Sequence, residues 1–143
     1  MNRSSLYREM SVNTASPVQM VVMLYEGAVK FLNQAIEDIE RKDYARKSQS
    51  VDRAVAIIQH LQGTLDFEKG GDISRELGSL YNYITSRIFA GSSQLDREAL
   101  EEATKLLTIL LEGWREIALK DQEQTVPVDL LAQNAAGRFE LRA

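Results

Sequence analysis

Four stretches of this sequence repeat apolar residues at alternating steps of three and four, and its only prolines, Pro17 and Pro127, fall outside all of them. Such spacing puts each apolar set on one face of an α-helix. Nowhere does the chain alternate apolar and polar residues with the period of two that a half-buried strand requires. The first helix opens on "TASP", where Ser16 can accept a backbone N–H as N-cap and Pro17 takes the first helical position, at which its missing N–H costs nothing. Val21, Tyr25, Ala28, Leu32, Ala35 and Ile39 then form a core stripe running to about Arg41.

The pattern resumes after Asp43, a candidate cap, with Val51, Ala54, Val55, Ile58, Leu61 and Leu65, which predicts a second helix ending near Glu68. "KGGD" reads as the break, with Asp72 as the next N-cap. Ile73, Leu77, Tyr81, Ile84, Ile88 and Gly91 mark a third helix that ends in "GSSQ". Asp96 caps the fourth, whose stripe is Leu100, Ala103, Leu107, Leu110, Trp114 and Ile117, to about Lys120. Four helices of roughly 22 to 27 residues with short connections predict an all-α fold, an antiparallel up-and-down four-helix bundle. The bundle would span residues 16–120, with an N-terminal arm over 1–15 and a C-terminal tail over 121–143.

Chemistry finds little purchase. His60 is the only histidine and there is no cysteine, so thiol nucleophiles, thiolate metal sites and the Glu-x-x-His pairs of di-iron bundles are absent. No nucleophile elbow, P-loop or dinucleotide glycine pattern is present. Neither an enzyme nor a cofactor or metal is expected. The formal charge of −4 offers no basic field for nucleic acid. "RKDYARKS", residues 41–48, reads as a solvated turn complementing a helix C-terminus. No apolar run approaches the ~18 residues of a membrane span, and nothing resembles a signal peptide. A cytoplasmic protein without membrane insertion is the expectation.

The unusual feature is an apolar surplus. Met20, Leu24, Gly27 and Phe31 make a second stripe on the first helix, about 100° round from the core stripe, with Met23 beside it. Leu106 and Ile109 run beside the seam of the fourth helix, and Leu80 and Tyr83 flank Tyr81 and Ile84 in the third. Grooves that receive amphipathic helices of another chain would use such a surplus: methionine adapts its shape, and a helical glycine lets a backbone approach closely. A self-associating helical scaffold, or a weak homodimer, is the competing reading.

Tyr7 with "VNTASP" (12–17), "MLYEGA" (23–28), "KGGDI" (69–73), "LYNYI" (80–84) and the late Trp114 resemble the flagellar secretion chaperone FliS family, in order over about residues 7 to 118. Glu26 departs from the aspartate or asparagine common there, and residues 121–143 fall outside the pattern. The resemblance implies a non-enzymatic cytoplasmic chaperone that binds the C-terminal segment of flagellin in apolar grooves and prevents premature polymerisation. It also implies assistance in delivery to the flagellar type III export gate, with other flagellar assembly factors as further partners. Under it, Met20, Met23, Leu24, Gly27, Phe31, Leu80, Tyr83, Leu106 and Ile109 become the flagellin-binding set. Leu6 and Tyr7, an apolar pair in a polar arm, would cap a groove until the client arrives.

Overall fold

The computed structural model describes residues 16–123, all but the connections in four helices: α1 (Pro17–Glu40), α2 (Tyr44–Gly63), α3 (Phe67–Gln94) and α4 (Arg97–Glu123). The described residues divide into two compact units, one of residues 24–112 and one that takes in residues 16–23 and 113–123.

In the larger unit the helices form an up-and-down bundle whose order follows from named contacts. Phe31 and Gly27 of α1 meet Arg53 and Ile57 of α2. Lys47 and Gln62 of α2 bond to Ser92 and Asn82 of α3, and Tyr83 of α3 bonds to Glu102 of α4. Arg97 at the start of α4 pairs with Glu40 at the end of α1, closing the ring. Positions rise along one helix as they fall along the next, Gly27 with Ile57 and Phe31 with Arg53, Lys47 with Ser92 and Gln62 with Asn82, Tyr83 with Glu102 and Gly91 with Leu100, so neighbours run antiparallel. Tyr25, Ala28, Leu32 and Ala35 face Val51, Ala54, Ile58, Tyr81, Ile84, Ile88, Leu100, Ala103 and Leu107 in the buried core. Across the middle, the hydroxyls of Tyr25 and Tyr81 hydrogen-bond to each other, a buried polar pair on diagonal helices.

The smaller unit holds the start of α1, where Ser16 Oγ accepts from the Gln19 N–H at 3.2 Å and Gln19 Oε1 accepts from the Ser16 N–H at 3.0 Å. This reciprocal pair satisfies two donors a helix start leaves open. In the same unit Ile117 and Ala118 are buried.

Asp43 and Asp96 cap as expected, accepting the N–H groups of Arg46 and of Glu98 and Ala99 respectively. The α2–α3 break does not lie where expected. α2 stops at Gly63 instead of near Glu68, and Asp66, not Asp72, caps the next helix, accepting from Glu68 and Lys69. Asp72 instead takes a side-chain bond from Arg75. The glycine signal survives as a kink: Gly71 has φ 55 and ψ −127, a conformation only glycine adopts freely, one turn into α3. In α4 the buried stripe passes through Leu111, with Leu110 half-buried. The 41–48 turn is not wholly solvated either. Lys47 is buried, and its Nζ donates to the Ser92 carbonyl at 2.9 Å, capping the last turn of α3.

Asp38 is the other buried charged residue among the described residues. It is buried, its Oδ1 accepts from Gln34 at 2.9 Å with Arg46 at 3.9 Å, and its Oδ2 has no hydrogen-bond partner among the described residues.

α1 ends in a Schellman motif without glycine. Asp43 N–H bonds to the Asp38 carbonyl and Lys42 N–H to that of Ile39, which forces Lys42 to φ 61. Lys42 is exposed and makes no ion pair among the described residues, so little packing offsets the left-handed backbone. Lys42→Gly is expected to stabilise the protein by about 1 kcal/mol, read as a raised urea midpoint at unchanged m-value.

Candidate functional site

The surplus stripe of α1 is carried by a helix whose core stripe is already satisfied. Met20 (44% exposed) and Met23 (39%) lie in the helix's N-terminal segment. Farther along, in the larger unit, Leu24, Gly27 and Phe31 are half-buried, and Gly27 and Phe31 lie on the seam with α2. A Cβ on Gly27 would stand 3.3 Å from Ile57 Cδ1. The missing side chain therefore lets α1 and α2 approach closely at this point. One turn on, the Arg53 guanidinium lies 5.6 Å from the Phe31 ring centroid, in cation–π range.

The other sequence candidates fall on different seams. Ile109 is 56% exposed and lines a groove of about 390 Å³ between α1 and α4, opposite Asn33 and Ile36 and rimmed by Glu101, Lys105 and Glu112. Tyr83 is exposed on the α3–α4 seam; its hydroxyl donates to Glu102 Oε1, and Arg87 Nε lies 3.3 Å from Glu102 Oε2. The bond to Glu102 is the main cause that holds the Tyr83 phenol above its ordinary pKa. Leu80 and Leu106 are half-buried. The seven candidates of the larger unit are thus spread over several seams. Leu6 and Tyr7 lie outside the described residues.

Sequence reasoning missed the α2 residues that meet this stripe, Arg53 and Ile57. A signal existed: Phe31 and Arg53 are equidistant from Lys42, as are Gly27 and Ile57, and residues equidistant from a tight turn face each other in an antiparallel hairpin. It also passed over Phe67 and Phe89 of α3, each 51% exposed. Phe67 rests its ring 3.7 Å from where a Gly78 Cβ would be.

Nothing in these grooves is arranged for bond-making chemistry. Among the described residues no cluster of three or more His, Cys, Asp or Glu side chains could hold a metal ion, and no helix is long and apolar enough to cross a membrane. What the surface can do is bury apolar side chains of another chain.

Comparison with known proteins points the same way. The family model described as flagellar protein FliS matches residues 1–122. The flagellar secretion chaperone FliS of Salmonella typhimurium is 36% identical over 113 residues, covering 78% of this chain and 84% of its own length. That of Bacillus subtilis is 32% identical over 115 residues, covering 80% and 85%. The flagellar secretion chaperone FliSB of Pseudomonas aeruginosa is 31% identical over 106 residues, covering 74% and 84%.

Proposed function

The chain belongs to the flagellar protein FliS family, and from that membership we propose that it is a cytoplasmic export chaperone for flagellin. It is not an enzyme. It holds flagellin's C-terminal segment in its apolar grooves, prevents premature polymerisation, and assists delivery to the flagellar type III export gate, with other flagellar assembly factors as further partners. The observation that carries this reading is the apolar surplus left at the surface: half-buried Leu24, Gly27 and Phe31 beside the satisfied core stripe of α1, and exposed Ile109 in the α1–α4 groove. Met20 and Met23, exposed at the start of α1, and Leu80, Tyr83 and Leu106 on α3 and α4 complete the set.

A client segment that is unstructured before binding has to be ordered on the chaperone, and apolar burial at roughly 25 cal/mol per Å² over a long wrapped path exceeds that cost. The arm residues Leu6 and Tyr7 would shield a groove in the free protein and yield it to the longer ligand.

The test is co-purification of the full chain with its host's flagellin, followed by titration of two variants. Met23→Asp places a charge on an exposed position, and Gly27→Leu puts a bulky side chain at the close contact with Ile57. Each is expected to weaken flagellin at least about tenfold, or 1.4 kcal/mol, with the helical circular dichroism kept. Unfolding of both variants would make the stripe core, and self-association without flagellin binding would favour the scaffold reading.

A further inference from the structure

We propose that the α1–α4 groove receives a second copy of this chain: two molecules pair about a two-fold axis, each Ile109 entering the other's groove and each Lys105 facing the other's Glu112. The pairing follows from the groove itself; its release by a client rests on the reading of that groove as client surface.

Ile109 is 56% exposed, more than any other large apolar side chain of the larger unit. The groove beside it is more apolar than its residue types suggest. Thr104 Oγ1 and Thr108 Oγ1 donate to the carbonyls of Leu100 and Thr104 at 2.8 Å, so neither hydroxyl asks the groove for a partner. The threonines add methyl groups to the apolar lining of Ile36 and Ile109. An exposed isoleucine with an apolar groove beside it supplies both halves of a self-complementary contact.

The rim charges set the register. When two copies of one helix pack antiparallel about a two-fold axis, residues equally far on either side of the axis lie opposite each other. Lys105 and Glu112 stand equally far, roughly 5 Å along the helix, on either side of a point between Thr108 and Ile109. An axis through that point brings Lys105 of each copy to Glu112 of the other and sets the two isoleucines next to it. Both rim residues are exposed, and neither makes an ion pair among the described residues. Glu101, farther out on the same rim, is already held by Arg97. Parallel packing in register would instead put lysine on lysine and glutamate on glutamate, so the charges also select the direction. One groove and one isoleucine per copy fall short of the roughly 1,200 Å² that a stable complex buries. The dimer is therefore weak, and a client that covers more surface displaces it.

Sedimentation of the full chain over a concentration series is expected to show a monomer–dimer equilibrium. Lys105→Glu and Glu112→Lys each turn two attractions into two repulsions and should weaken the dimer about tenfold. Mixed in equal amounts, the two variants should regain it as a heterodimer, because both ion pairs re-form across the mixed contact and across neither of the like ones. A wild-type chain that stays monomeric, single variants that dimerise as the wild type does, or a mixture that fails to recover overturns the proposal. The host flagellin's C-terminal segment is expected to dissolve the dimer into one-to-one complexes. A dimer that obeys the charge swaps yet survives saturating flagellin segment upholds the interface and overturns the groove as client surface.

Discussion

Tyr81→Ala is expected to lower the stability of the protein by about 3 to 5 kcal/mol, the cost of removing a large aromatic from a packed core. Tyr81 is 2% exposed, and its hydroxyl bonds to that of Tyr25, so truncation opens a cavity between α1 and α3 and takes a partner from a buried phenol. The polar part can be read separately. Tyr25→Phe leaves the Tyr81 hydroxyl without a hydrogen-bond partner among the described residues, which costs about 1 to 3 kcal/mol with no cavity to speak of. Urea unfolding of both variants separates packing from hydrogen bonding.

The same pair sets an alkaline limit. Burial raises the Tyr81 phenol above its ordinary 10.0, and the Tyr25 bond works in the opposite direction. A phenol whose pKa is higher in the folded than in the unfolded state contributes its full stability below the unfolded value and loses it as pH climbs through the folded one. Stability should therefore fall above about pH 10, and Tyr81→Phe should flatten that fall.

Gly91→Ala is expected to cost about 3 kcal/mol, the upper part of the range for overpacking. A Cβ there would lie 2.8 Å from Leu100 Cγ and 2.9 Å from the Asp96 carbonyl oxygen. The leucine could shift; the backbone oxygen cannot, since it belongs to the turn in which Asp96 N–H bonds to the Gly91 carbonyl at 2.9 Å. The start of α4 is thus seated directly on the last turns of α3. Gly63→Ala is the control, because nothing lies within 4 Å of its added methyl. A Gly91→Ala midpoint equal to that of Gly63→Ala would show that the α3–α4 turn relaxes freely.

The helices were legible because local chemistry decides them: Ser16, Asp43 and Asp96 each bond the N–H groups their positions foretell. The α2–α3 connection was misread because two start signals compete there. Asp66 with Glu68 is as good a cap as Asp72, and a glycine pair advertises a break that the chain uses only as a kink at Gly71. In α4, apolar residues at 106, 107, 109, 110 and 111 leave the phase ambiguous by one position, and only the neighbours select Leu111 over Leu110. Buried Asp38 and Lys47 were illegible, since burial of a charge depends on partners from other parts of the fold. The candidate site was half legible. Periodicity gives the face of a helix on which Gly27 and Phe31 lie, but not that Ile57 and Arg53 stand opposite.

The connections 41–43, 64–66 and 95–96 are only two or three residues long, and each joins helices that pack side by side. Chains built from such local pairings fold in microseconds to milliseconds, because little loop entropy is lost before contacts form. A ribosome adds a residue only about every tenth of a second, at 5 to 20 residues per second. Each hairpin can therefore assemble while the next helix is still being synthesised, and the larger unit closes when α4 arrives to join Arg97 to Glu40. Its own apolar stripes are in this way covered almost as soon as they are made.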